Sequence, residues 1–221
     1  MSLRRTDAEE WASEHNSAAL SEIFGNVIFF FRTKANRRFP IMRFDVMPVA
    51  TEKQVEEIAN IAAPSWHDDY KNIFSNDQID YMLKTFNSKD AIRQNMADRC
   101  IYYMLLLDNR FAGYVAFKAH FDHIFIHRIY IRPEFRRKGL ARRTITAFDT
   151  MVSGDEFKSI KKLKILVEKQ NDSAIEAYER LGFRKIRRIE THLGENYYSD
   201  DYLMERGIRR EQREGKSWEI S

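Results

Sequence analysis

Residues 124–143 of this 221-residue chain constrain its fold more than any other stretch. "IFIHRIYI" (124–131) is apolar and β-branched enough to be a strand. "RPEFRRKGLARR" (132–143) follows, with six basic side chains and one glycine in twelve positions. "TITAFDTMV" (144–152) then has helical spacing, with Ala141, Ile145, Phe148 and Val152 on one face. A strand that turns into a helix through a basic, glycine-containing junction has a physical meaning. The first turn of a helix exposes backbone N–H groups without intrahelical partners and carries about half a positive charge. Glycine lets a ligand approach that backbone closely. "RRKGLA" (136–141) is therefore built to receive a compact anion, with phosphate its natural ligand.

The charge balance supports a local site. Six Lys/Arg against Glu134 give +5 over 132–143, so with a net charge of +4 the remaining residues sum to −1. A nucleic-acid-binding domain spreads its basic charge over a face or several elements. A nucleic-acid- or ribosome-associated module using 132–143 is the alternative reading, and salt-dependent binding to RNA or DNA would mark it.

A 43% hydrophobic content with sixteen Phe and ten Tyr supports a packed core and argues against disorder. The single Cys100 offers no internal disulfide, and no paired Cys/His spacing suggests a metal. "VIFFF" (27–31) is too short to span a bilayer and lacks a signal-peptide pattern. A cytoplasmic protein without membrane attachment is the expectation.

The remaining pattern is that of a mixed, mostly antiparallel sheet with helices on both faces, an α/β (α+β) fold. A first strand fits 41–49. A helix capped by Thr51 and Gln54 runs to Pro64, and a second spans 76–86 behind Asn76 or Asp77. Strands fit 100–107, 111–119 and 124–131, the first two joined as a hairpin by "DNR". After the junction helix come a strand at 163–167 and the short helix "NDSAIEAYERLGF". Its cap is Asn171 or Asp172, and Gly182 suits its left-handed end. Strands at 184–190 and 197–205 close the domain. Residues 1–40 are read as an N-terminal extension, helical over 6–25 and basic further on, and 207–221 as a tail. The extension packs on the domain or on a partner subunit, so a homodimer is among the expectations.

Taken together, the strand, "RRKGLA", the following helix and "NDSAIEAYERLGF" some forty residues on resemble the GNAT superfamily of acetyl-CoA-dependent N-acetyltransferases. The resemblance covers 41 to about 206. It implies a domain of that extent, acetyl-CoA as cosubstrate and an amine acceptor: a small molecule, a polyamine or a protein N-terminus. It implies that Arg136, Arg137, Lys138, Gly139, Leu140, Ala141 and Arg142 surround the coenzyme pyrophosphate, mainly through backbone amides. Many members have Gly where this chain has Ala141. Ile129, Tyr130 and Ile131 would pair with the pantetheine arm along a bulged strand that splays from its neighbour. Asn171 and Ala174 would contact the coenzyme.

The resemblance also puts Tyr178 where a general acid would protonate the departing thiolate; on helical spacing alone it reads as a core aromatic, and the junction motif turns the reading toward the acid. A backbone N–H near Ile129 would serve the oxyanion. His123 and His127 are the candidate bases, since imidazole titrates in the useful range, and family members also use carboxylates or ordered water. Acceptor choice is assigned to the connection of the first two helices. There Trp66, Asp69 and Tyr70 offer aromatic and acidic groups to a cationic amine, unless they form a plain capped loop.

Overall fold

A computed structural model describes residues 29–32 and 42–210. Eight strands form one sheet: β1 Phe29–Arg32, β2 Arg43–Pro48, β3 Ile101–Leu107, β4 Arg110–Ala119, β5 His123–Ile131, β6 Lys162–Glu168, β7 Arg184–Gly194 and β8 Tyr197–Gly207. Their spatial order is β1-β2-β3-β4-β5-β6-β8-β7. Among the described strands only β5 and β6 pair in parallel. Five helices cover the sheet: α1 Glu52–Tyr70, α2 Asn76–Asn87, α3 Lys89–Ala97, α4 Leu140–Met151 and α5 Asp172–Arg180.

Strand β3 is apolar throughout, and β4 is apolar from Phe111 to Phe117, because both faces are covered. One core gathers Tyr103, Leu105, Phe117, Ile124 and Ile126 under Ile145 and Phe148 of α4 and Ile175 of α5. The opposite core sets Tyr102, Met104, Tyr114 and Tyr130 against Val55, Ile58, Ile79 and Ile92 of α1–α3. Phe117 meets Phe148 edge-on at 4.9 Å, and burying a ring of this size contributes about 1.5–3 kcal/mol. The β3–β4 hairpin turns on Asp108 and Asn109, both at positive φ, the geometry that matches the right-handed twist of the strands.

Four elements differ from the sequence reading. Helix α1 does not stop at Pro64 but continues to Tyr70. One missing N–H is outweighed by the face beyond it, where Trp66 is buried and the Trp66, Tyr70 and Phe74 rings follow at 5.4 and 5.8 Å. The "PSWHDDY" segment is therefore helix rather than connection. Helix α3 was not expected; Ser88 caps it by accepting from the Ala91 N–H, and Ile92 alone of its residues is fully buried. Helix α2 takes its cap from Ser75, which accepts from the Gln78 N–H, and not from Asn76 or Asp77. Phe29–Arg32, within the stretch read as an extension, pairs antiparallel with β2. The helix expected over 6–25 lies outside the described residues.

Candidate active site

The site is made by a strand that loses a neighbour. In β5, Ala116 faces Arg128 and Phe117 faces Ile126, so His127 is an extra residue without a register partner. Its neighbour β6 pairs with β5 only from His123↔Lys162 to Ile126↔Ile165. Beyond that point β6 stays paired with β8 through Glu168, while β5 keeps only β4. Bulge and parting therefore coincide at His127. A bulge re-aims the strand, and here it leaves one edge of 127–131 without a ladder partner. Ile129 and Ile131 turn toward the α4 core, and Tyr130 stacks on Tyr114 at 5.8 Å in the other.

The junction follows directly. Pro133–Phe135 make one 3₁₀ turn, and Phe135 is buried beneath Arg110, Arg132 and Lys138, whose cationic groups lie 5.0–5.9 Å from its ring. Arg137 and Gly139 both take positive φ, 61° and 76°. Gly139 caps α4 without any side-chain hydrogen bond. The first intrahelical bond there is from the Arg143 N–H to the Gly139 carbonyl, which leaves the amides of Leu140, Ala141 and Arg142 for another acceptor. A Cβ on Gly139 would meet nothing within 4 Å, so the glycine serves backbone conformation and access rather than packing. These donors, flanked by exposed Arg137, Lys138 and Arg142, fit a pyrophosphate. The Leu140 side chain is buried in the core and offers only its amide.

Arg136 has a different engagement. Its guanidinium donates to both Asp69 oxygens, Nη1 to Oδ1 at 2.9 Å and Nη2 to Oδ2 at 2.6 Å, and its Nε donates to the Ile131 carbonyl. Asp69, read as a substrate residue, thus pairs with an arginine read as a coenzyme residue.

Asn171 caps α5 by accepting from the Ala174 N–H at 3.1 Å. The Tyr178 ring packs edge-on against Phe183 at 5.5 Å, and its hydroxyl makes no hydrogen bond among the described residues. Burial, with Tyr70 adding to it, pushes the Tyr178 phenol well above its ordinary value. Burial also raises Tyr70, helped by Asp69, Asp201 and Glu168 and opposed by Arg128. The two phenols therefore share one neighbourhood with two carboxylates the sequence reading did not select. Glu168 ends β6 and faces Asp201 of β8 across the ladder. Burial raises the Asp201 carboxyl, the Ser199 hydroxyl bonding it at 2.8 Å works against that, and Glu168 and Asp200 reinforce it. For Glu168 the signal in the sequence was a charge directly after the apolar run "ILV" (165–167). The far end of this region is tied down by α2, where Tyr81 donates to the Leu193 carbonyl and Gln78 to that of Tyr198.

The histidines stand apart from one another. His127 stands at the bulge; partial burial of its ring, with Lys118, Arg128 and His120 nearby, lowers its imidazole to about 4. His123 stacks on His120 at 4.5 Å and bonds Asp122 at 2.6 Å. It lies in the closed part of the β5–β6 pair, four residues or about 13 Å along the strand from the bulge.

A parted parallel strand pair and the open N-terminus of a helix thus lie next to one another. Residues 56–183 match the model of the acetyltransferase (GNAT) family, and the chain belongs to that family. It is an acetyl-CoA-dependent N-acetyltransferase. Solved structures share the fold. The PaiA N-acetyltransferase of Thermoplasma acidophilum, solved with coenzyme A, is 18% identical, with TM-score 0.59 over 74% of this chain and 98% of that one. A GCN5-related N-acetyltransferase from Rhodopseudomonas palustris is 13% identical, with TM-score 0.60 over 74% and 94%. The ribosomal-protein-S18-alanine N-acetyltransferase of Escherichia coli is 16% identical, with TM-score 0.50 over 79% and 99%. No curated protein sequence matches the chain. Among the described residues no helix is long and apolar enough to cross a membrane.

Proposed function

We propose that the protein acetylates a primary amine, on a small molecule, a polyamine or a protein N-terminus, by direct attack on the thioester. The observation that carries this reading is the coincidence of the His127 bulge with the parting of β5 from β6, beside Tyr70, Tyr178, Glu168 and Asp201. Acetyl-CoA supplies the activated acyl group. In this reading the amides of 140–142 hold its pyrophosphate, and 129–131 offer backbone to the pantetheine arm.

The acceptor nitrogen arrives as an ammonium with a pKa near 10.4 and must lose a proton before it attacks. Glu168 and Asp201 attract that cation, and the aromatic faces of Trp66 and Tyr70 suit it. We assign the proton to Asp201 rather than to His123 or His127. An imidazole held near 4 is a weak acceptor, and His123 lies in the closed sheet. Asp201 stands beside Glu168 at the parted end of the sheet, and burial raises its carboxyl in the direction a base requires. As the tetrahedral intermediate collapses, the carbon–sulfur bond breaks and Tyr178 gives its phenolic proton to the leaving thiolate. A phenol whose pKa is raised stays protonated at neutral pH, as that role requires.

The test is incubation with acetyl-CoA and a panel of diamines, polyamines, amino sugars and peptides with free N-termini, read by product mass. One acetyl group on a primary amine is the expected product. A panel left unmodified, with CoA released only by hydrolysis, would overturn the acceptor reading.

A further inference from the structure

A cleft of about 80 Å³ opens where α4, the end of α5 and the end of β8 meet. Four arginines line it, Arg142, Arg180, Arg206 and Arg209, and no carboxylate does. Two of the four are balanced from outside: Arg180 by Glu176 at 3.2 Å on the surface, and Arg206 by Asp149 in a buried pair. The side chains of Arg142 and Arg209 make no hydrogen bond or ion pair among the described residues. The cleft therefore keeps two uncompensated positive charges.

The surrounding structure holds this cluster in place. Asp149, itself buried, accepts from Arg206 and also from the Arg209 N–H at 2.9 Å, which fixes the backbone that carries Arg209. The buried Nε of Arg206 has no hydrogen-bond partner. Gly182 sits at φ +94°, and a Cβ there would come within 3.0 Å of the Arg209 guanidinium and 3.4 Å of the Arg206 side chain. The fold thus holds four guanidinium groups close together although two of them, Arg142 and Arg209, have no balancing carboxylate among the described residues.

We propose that this cleft is a phosphomonoester site. A phosphate monoester brings a charge of about −1.5 to −2 and three terminal oxygens, which matches two free guanidinium forks on a partly balanced base. The Thr146 hydroxyl lines the same wall as a further donor. Arg142 follows Gly139 by three residues, so the cleft begins about one helical turn along α4 from the pyrophosphate cradle. Two sources have this chemistry: the ribose 3′-phosphate that CoA carries, and a separate phosphorylated compound. With CoA as the source the inference rests on the acyl-transfer reading, and with a separate compound it rests on the charge cluster.

Calorimetric titration of the wild type and of the Arg142→Gln/Arg209→Gln double variant distinguishes them, with melting temperature confirming that the variant folds. If CoA is the source, wild type binds CoA about tenfold or more tightly than 3′-dephospho-CoA, and the variant binds both alike. If the ligand is separate, inorganic phosphate binds the CoA-saturated wild type and not the CoA-saturated variant. The proposal is overturned if wild type treats the two coenzymes alike and takes up no phosphate, or if the variant keeps either behaviour. Acetyl transfer, measured separately with acetyl-CoA, reports on the acyl-transfer reading whichever result is obtained.

Discussion

Arg136 and Asp69 hold each other by two parallel hydrogen bonds of 2.9 and 2.6 Å, joining the phosphate junction to the last turn of α1. The same turn of α1 carries Trp66 and Tyr70. Both partners are about a third exposed, 39% and 31%, so water screens the pair and its stability contribution is about 0.5 kcal/mol. Its consequence is geometric: the last turn of α1 and the junction, proposed above as acceptor wall and coenzyme cradle, are set relative to one another. Asp69→Asn is expected to change the melting temperature little and CoA affinity by less than about threefold, because backbone amides remain. kcat/KM for the amine should fall by about tenfold, the size of one lost charged contact. Loss of CoA binding with unchanged amine kinetics would show that the pair serves the junction alone.

Gly139 separates two effects that a single substitution would confuse. At φ +76° with open space around its Cβ position, alanine meets no clash and costs only left-handed strain, about 1–2 kcal/mol. Glutamate adds bulk and negative charge at the amides. The expectation is that wild type gains about 2.7 kcal/mol of stability at a hundredfold excess of CoA over its Kd. Gly139→Ala should retain most of that gain, and Gly139→Glu should lose it. Thermal melts with and without CoA read both. Equal losses in the two variants would point to strain rather than access.

Much of this site could be read along the chain because its chemistry is local. The junction, the Asn171 cap and the left-handed Gly182 each depend on neighbours within a few residues. The bulge entered only as what the resemblance implies, and the structure shows the trace it leaves in the side-chain pattern. Ile124 and Ile126 face one core, and Ile129 and Ile131 face it again after a gap of three, which a continuous strand does not allow. What stayed hidden depends on long-range pairing. Glu168 and Asp201 are 33 positions apart and meet only because β6 and β8 align in register. Asp69 meets Arg136 across 67 positions. Helix α3 escaped notice because, with one fully buried residue, it has hardly any apolar face to announce it.

Asp200 should mark the acid limit of stability. Arg188 and Lys169 both donate to it, and those bonds lower its carboxyl to about 2. A folded-state pKa below the unfolded value near 3.9 gives stability that is present above pH 4 and lost as pH falls toward 2. Asp200→Asn removes the titrating group and should flatten that part of the profile. Denaturant midpoints at pH 5, 4, 3 and 2 provide the comparison. A variant that loses stability between pH 4 and 2 as steeply as wild type would assign the acid limit to other carboxyls.

Tyr178 offers the sharpest separation of chemistry from packing. Its ring lies against Phe183 in the α4 core, so phenylalanine preserves that contact. The hydroxyl has no partner among the described residues, so its removal leaves no orphaned group, and stability should stay within about 0.5 kcal/mol of wild type. CoA affinity should be equally unaffected. Only the proton proposed for the leaving thiolate is lost. General acid catalysis contributes about a hundredfold or more, so Tyr178→Phe should lower kcat by at least that factor with chemistry rate-limiting. The defect should shrink for acyl donors whose leaving thiol is more acidic, since such thiolates depart without a proton. Full activity with a natural thioester would remove Tyr178 as the acid. A fall in melting temperature without a kinetic defect would return it to the core.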